Sequence, residues 1–196
     1  MTKHIEFVSR IPRSWLFAIA GLIQVALIAL MVGDRVRILR TGTEVMLQTQ
    51  PVDPRDILRG DYVILSYDIS QLPAGELKNT PVSGEGTFVF VKLAPKADGF
   101  YQAVSVHRAP VAAAAGEVLI RGRVARRSLC DNVFCDTLSL EYGIESFFVP
   151  QGQGRGLENA RNEHKLAVIA AVAPGGRAAI KRLMLDGKQV YDEPLF

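Results

Sequence analysis

The stretch PVDPRDILRGDYVILSYDI (Pro51–Ile69) decides how the chain is interpreted, because it joins a charged segment to a run that alternates like a β-strand. In an extended strand, alternate side chains lie on the same face. Four apolar or aromatic side chains would share one face here: Val63, Leu65, Tyr67 and Ile69. The pattern therefore predicts a half-buried strand over residues 62–70.

The charged segment before this strand predicts a corner. Pro51 and Pro54 favour extended backbone at the residues before them. An aspartate can cap a single helical turn, which Gly60 can end with a positive φ. The motif and possible interaction residues are Asp53, Arg55, Asp56, Arg59, Gly60, Asp61, Tyr62, Leu65 and Tyr67.

This acidic segment has two interpretations. In the first, Arg55 and Arg59 neutralise the acids of a structural corner that can also contact a partner. In the second, Asp53, Asp56 and Asp61 form a binding or catalytic cluster.

The N-terminus predicts a membrane anchor. Residues 15–32 carry no charge and are long enough as a helix to approach the roughly 30 Å hydrocarbon core. A secretory signal would be shorter and would end at a pair of small residues, but this run ends in Leu30, Met31 and Val32. We therefore predict a cytoplasmic tail over 1–14, a transmembrane anchor over 15–33, a basic juxtamembrane stalk over 34–43 and a β-rich domain over 44–196.

Orientation rests on weaker signals, because three basic residues precede the span and three follow it. A short basic tail and a long C-terminal domain favour a cytoplasmic N-terminus. Cys130 and Cys135 are close enough in sequence to form a disulfide, which persists outside the reducing cytosol, or they are two unconnected thiols. The expected location is the bacterial inner membrane, with a single span and the C-terminal domain in the periplasm.

The rest of the chain predicts a mainly β (β-rich α+β) extracytoplasmic domain. Strands are expected over 44–50, on both sides of the Asp98–Gly99 turn, and in a C-terminal meander. Residues 156–165 are the clearest helical stretch of this domain, and the apolar run 166–173 suits a strand buried on both faces.

The patterns typical of several chemistries are missing from the sequence. The three histidines are far apart, and the two cysteines lack the paired spacing of a zinc site. Gly152, Gly154 and Gly156 do not fit a dinucleotide fingerprint, and the basic residues are scattered. We therefore predict no metal, no cofactor and no nucleic acid partner, and an enzymatic role is the less favoured one.

GDYVILSY (Gly60–Tyr67) resembles the motif of the GDYXXLXY family of membrane-anchored bacterial proteins. PVDPRD before it and YGIESFFVPQGQGRGLE (Tyr142–Glu158) after it are also similar to that family. The resemblance implies no assigned activity, and it implies a multi-spanning membrane protein as partner, because such proteins tend to be encoded beside family members.

These observations favour a membrane-anchored periplasmic domain that acts as a non-enzymatic accessory or interaction subunit of a membrane complex. It would contact the lipid bilayer through residues 15–33. The alternative is a periplasmic ligand-binding or hydrolytic domain that uses the acidic cluster.

Overall fold

The computed structural model describes residues 12–52, 62–73, 84–128, 137–148 and 154–193. The chain divides into two compact units, residues 1–37 and residues 38–196. The elements, in chain order, are α1 (Arg13–Thr41), β1 (Thr43–Gln50), β2 (Tyr62–Ile64), β3 (Ser66–Tyr67), a 3-10 turn (Asp68–Ser70), β4 (Gln71–Pro73), β5 (Phe88–Pro95), β6 (Tyr101–His107), β7 (Val118–Ser128), β8 (Thr137–Glu141), β9 (Ser146–Phe148), α2 (Gly154–Asn162), β10 (Leu166–Val172), β11 (Ala178–Leu185) and β12 (Lys188–Asp192).

The described part of the first unit is helix α1 up to Arg37. The large apolar side chains of this part are exposed, including those of Trp15, Phe17, Leu22 and Met31. Within the described part of the chain, it is the one helix long and apolar enough to cross a membrane. The predicted N-terminal apolar helix is confirmed.

The second unit is built from antiparallel strands. One sheet has the order β12-β11-β10-β1-β3, and a second has the order β4-β8-β7-β5-β6. Strands β2 and β9 form a separate ribbon. The mainly β fold is confirmed, as are the hairpin that turns at Gly99, where φ is +84°, and the C-terminal meander.

A single hydrophobic cluster draws on both sheets, because alternate residues of each strand face the same interior. Val45 and Leu47 of β1 meet Val91 of β5 and Val168 of β10 in this cluster. The sheets thus fold over one core.

Strand β10 is buried on both faces, as its apolar sequence predicts. Its second face is covered by the last turn of α1, where Ile38 and Leu39 pack with Ala171 of β10 and Ala179 of β11. The predicted stalk over 34–43 is therefore helical through Thr41, and from Ile38 onward it folds with the β domain.

Two predicted elements differ from the structure. The single strand expected over 62–70 is divided into β2, β3 and the 3-10 turn, because β2 pairs with β9 whereas β3 pairs with β1. The helix expected over 156–165 ends at Asn162, where the Lys165 N–H bonds to the Ala160 carbonyl and His164 takes a left-handed φ of 57°.

Candidate functional site: the motif clamp

The two sequence blocks that carry the family resemblance pair directly with each other. Strand β2 is antiparallel to β9, with Tyr62 opposite Phe148 and Ile64 opposite Ser146. The backbone continues this contact past β2, where the Leu65 N–H donates to the Glu145 carbonyl at 2.8 Å. GDYVILSY and YGIESFF therefore form one structural unit.

Two buried tyrosines join these blocks, because each block donates a tyrosine hydrogen bond to a backbone carbonyl of the other. The Tyr67 hydroxyl donates to the carbonyl oxygen of Ile144 at 2.5 Å. The Tyr142 hydroxyl donates to the carbonyl oxygen of Ile69 at 2.6 Å. We call the two segments joined in this way, 65–70 and 142–147, the motif clamp.

Both hydroxyls are held in their neutral form. Burial, together with the negative charge of Glu145, raises the pKa of Tyr67 and of Tyr142 well above the ordinary value of tyrosine. A neutral phenol can donate the hydrogen bond that each carbonyl accepts, whereas a phenolate cannot. The clamp therefore depends on protonated tyrosines.

Glu145 shapes the turn between β8 and β9. Its carboxylate accepts hydrogen bonds from the backbone N–H groups of Tyr142 and Gly143, the latter at 2.9 Å. Gly143 has a φ of +79°, a conformation that glycine adopts without steric cost. Glu145 thus has a structural role. It holds the turn in which the carbonyl oxygen of Ile144 accepts the hydrogen bond from the Tyr67 hydroxyl.

Arg161 of α2 links Val52, which follows β1, to Ile64 of β2. Its side chain is fully buried, and its guanidinium donates to the carbonyl oxygens of Val52, at 3.0 Å, and Ile64. The amide oxygen of Asn162 accepts two further hydrogen bonds from it. Burial lowers the pKa of Arg161 from its ordinary value, and the charge of Glu158 opposes this shift.

Three further residues that single-sequence reasoning missed hold the predicted motif in place: Tyr142, Glu145 and Arg161. Arg161 follows Leu157 and Ala160 at helical spacing, and all three lie on the side of α2 that faces the domain. A charged residue on the apolar face of a short helix was the available signal. Tyr142 and Glu145 carried no such signal beyond their place in the second block.

Among the predicted site residues, Leu65 and Tyr67 are buried in the core cluster. The backbone of Tyr62 begins β2. The others lie outside the described residues, namely Asp53, Arg55, Asp56, Arg59, Gly60, Asp61, and the Cys130–Cys135 pair. Their predicted roles remain predictions.

The pairing of β2 with β9 brings the ends of two segments together. Tyr62, which follows Asp61 in the chain, is opposite Phe148, the last residue of β9. The side chain of Phe148 is 78% exposed. The first described residue of the motif, Tyr62, is therefore paired with a residue whose aromatic side chain is exposed.

The polar side chains around the motif are suited to a structural role. The described residues include no group of three or more His, Cys, Asp or Glu side chains that could hold a metal ion. The tyrosine hydroxyls, the Glu145 carboxylate and the Arg161 guanidinium all bond to backbone groups. The arrangement can fix the positions of neighbouring segments.

The fold and the clamp define a class of protein in which an apolar N-terminal helix precedes a β domain with a tyrosine-braced motif. The protein-family model described as GDYXXLXY protein matches residues 24–183, which is most of the chain. The chain belongs to the GDYXXLXY protein family. Comparison with curated proteins finds no match, and comparison with solved structures also finds none.

Proposed function

We propose that this protein is a non-enzymatic accessory subunit of a complex in the bacterial inner membrane. Helix α1 crosses the membrane once, and the β domain lies in the periplasm. The partner is a multi-spanning membrane protein, which the domain contacts at the end of the β2–β9 ribbon that carries Phe148.

One observation carries this proposal: Phe148 is 78% exposed and lies across the β2–β9 ribbon from Tyr62. Large exposed aromatic side chains are enriched at the centres of protein interfaces, where they supply much of the binding energy. The β2–β9 ribbon would present Phe148 to the partner at the end of β9, opposite Tyr62 of β2.

The motif clamp supports this proposal by making the surface rigid. A surface already held in its binding conformation loses less conformational entropy when a partner binds. Tyr67, Tyr142 and Arg161 each bond to backbone carbonyls of the segments that flank the ribbon. The clamp would thus serve the interface without touching the partner.

The test is recovery of the full-length protein from native membranes in mild detergent, followed by mass spectrometry. We expect a stoichiometric multi-spanning protein with the parent chain, and at least a tenfold loss with Phe148→Ser or with Asp61→Ala/Tyr62→Ala. A loss of this size corresponds to about 1.4 kcal/mol or more, which a central aromatic side chain commonly contributes.

Phe88→Ser is the control, because Phe88 is also exposed, at 53%, but belongs to β5 of the sheet β4-β8-β7-β5-β6, where the Arg121 guanidinium lies over its ring. This variant should retain the partner. Thermal unfolding of every variant separates lost binding from lost folding. Equal recovery of the partner by parent and Phe148→Ser would contradict the proposed interface, and a partner-free parent would contradict the proposed function.

A further inference from the structure

The sheet β4-β8-β7-β5-β6 carries three arginines on the outer face of β7. Ile120 and Val124 are fully buried in the core, so the alternating residues Arg121 and Arg123 face outward. Arg126 lies on this outer face after the register shift that follows Val124, because it pairs with the residue of β8 that lies between two core leucines. We call Arg121, Arg123 and Arg126 the arginine row.

The arginine row carries positive charge that the described residues do not neutralise. Within the described part of the chain, none of its guanidinium groups forms an ion pair, whereas Lys92 of the same sheet is paired with Glu117 at 3.1 Å. Arg123 and Arg126 are exposed, and Arg121 is half-buried. The row can therefore bind negative groups of another molecule.

The ring of Phe88 orients the first arginine of the row. The guanidinium carbon of Arg121 lies 4.8 Å from the centroid of the Phe88 ring, which is a cation–π contact. Phe88 is opposite Arg123 in the strand register, and its side chain is 53% exposed. The row thus lies beside an apolar surface that a ligand can cover.

The spacing of the arginine row favours an extended peptide with acids at alternate positions. Alternate residues of a β-strand repeat at an interval of roughly 6.4–6.8 Å, and an extended acidic segment repeats its carboxylates at the same interval. Arg121 and Arg123 can therefore each pair with one acid of such a segment, through two parallel hydrogen bonds per guanidinium. Lipid phosphates have no fixed interval and would not use this spacing.

We propose that the arginine row binds an extended acidic segment of a partner protein. The carboxylates of the segment pair with Arg121, Arg123 and Arg126, and its backbone requires no free strand edge. Glu141 of β8 is opposite Arg123 and limits the affinity, because it repels the acids of the segment. The proposal goes beyond the proposed function, since it requires neither the membrane partner nor Phe148.

A peptide titration followed by NMR of the arginine side chains tests this site. The full-length protein, labelled with nitrogen-15, is kept in nonionic detergent. The probe is the acetylated and amidated peptide TDTDTDT, and its control is TTDDDTT, which has the same composition and charge. We expect TDTDTDT to shift the Nε resonances of the arginine row and to bind at least threefold more tightly than TTDDDTT, because only its three acids share one face.

Charge variants test the individual contacts of the peptide. Arg123→Gln and Arg126→Gln should each weaken TDTDTDT binding about twofold to fivefold, which is the range of an exposed ion pair. Lys188→Gln is the matched control, because it removes one exposed positive charge from β12 of the other five-stranded sheet, and it should leave the affinity unchanged. Glu141→Gln should strengthen binding about twofold, since it removes the acid opposite the row.

Two aromatic variants separate this site from the proposed function. Phe88→Ser should weaken TDTDTDT binding about twofold, because it removes the ring that orients Arg121. Phe148→Ser should leave the peptide affinity unchanged, so a failure of the proposed function remains distinguishable from a failure here. The melting temperature of each variant separates lost binding from lost folding.

Four results would overturn the proposal. The first two are arginine resonances that do not respond to TDTDTDT, and equal affinity for TTDDDTT. The third is an equal loss of affinity in Lys188→Gln and Arg123→Gln, because the peptide would then respond only to net charge. The fourth is a response of the row to phosphatidylglycerol nanodiscs but to neither peptide, which would assign the row to a lipid surface.

Discussion

Tyr67 and Tyr142 act through their hydroxyl groups as well as through their rings. Each hydroxyl satisfies a backbone carbonyl of the opposite segment of the motif clamp, and both rings are buried in the core cluster. Phenylalanine would fill the same space but would leave the carbonyl oxygen of Ile144 or Ile69 without its donor. This explains in physical terms why the motif ends in tyrosine.

We expect Tyr67→Phe and Tyr142→Phe each to lower the free energy of unfolding by about 1–3 kcal/mol, the cost of an unpaired buried polar group. Denaturant unfolding of the detergent-solubilised protein, followed by circular dichroism, measures this. Tyr101→Phe is the control, because the Tyr101 hydroxyl has no hydrogen bond among the described residues, and it should change stability by less than about 0.5 kcal/mol. Equal effects at all three tyrosines would contradict the clamp.

The same variants have a distinct dependence on alkaline pH. Burial raises the pKa of Tyr67 and Tyr142, so in the folded state both stay protonated above about pH 10, where an unfolded tyrosine ionises. Their contribution is complete below about pH 10 and is lost as pH rises further, by about 1.4 kcal/mol per pH unit for each tyrosine. The double phenylalanine variant should show a correspondingly flatter loss of stability between pH 10 and 11.

Sequence reasoning predicted the buried side of the motif but not the groups that hold it. Alternation alone places Leu65 and Tyr67 on an inward face, and both are buried. Alternation contains no information about which distant carbonyl a hydroxyl reaches, so the role of Tyr142 depended on the three-dimensional fold. Arg161 was missed for the same reason, because its acceptors at Val52 and Ile64 lie far from it in sequence.

At the scale of elements, the run 62–70 shows where a correct periodicity gives an incorrect strand. Val63, Leu65, Tyr67 and Ile69 are all buried, as the pattern requires. The chain nevertheless changes partners after Ile64, from β9 to β1, and then tightens into the 3-10 turn. Period-2 alternation determines the face of a side chain but not the identity of the paired strand.

Gly42 permits a close backbone contact between the last turn of α1 and β10, both within the second unit. A Cβ at this position would lie 2.6 Å from the Ile38 carbonyl oxygen and 3.0 Å from the Val172 backbone nitrogen. Both neighbours are backbone atoms, one in the last turn of α1 and one in β10, so neither can move alone. Glycine thus permits the close contact that covers the second face of β10.

We expect Gly42→Ala to destabilise the β domain by about 1–3 kcal/mol, because inserted atoms in a packed region force backbone shifts. Thermal unfolding of the full chain in detergent measures the change. Gly33→Ala is the matched control within α1, since a Cβ there has no neighbour within 4 Å, and alanine should be neutral or stabilising by up to about 1 kcal/mol. Equal melting temperatures for parent and Gly42→Ala would show that the contact can relax.

At the scale of the whole molecule, the fold connects its apolar helix to the β domain without a linker. Helix α1 ends at Thr41 and β1 begins at Thr43. The helix and the first strand are thus separated in sequence by a single residue, Gly42. The proposed function depends on which side of the membrane the domain occupies.

We expect the domain on the periplasmic side, because the short basic N-terminal tail favours retention in the cytoplasm. A membrane-impermeant maleimide, applied to intact bacterial spheroplasts, should label Gln189→Cys on exposed β12 when Cys130 and Cys135 are replaced by serine. Thr2→Cys in the same background is the matched control for the opposite side, and it should react only after permeabilisation. The reverse pattern would place the domain in the cytoplasm, and both the periplasmic complex and a stable Cys130–Cys135 disulfide would then be wrong.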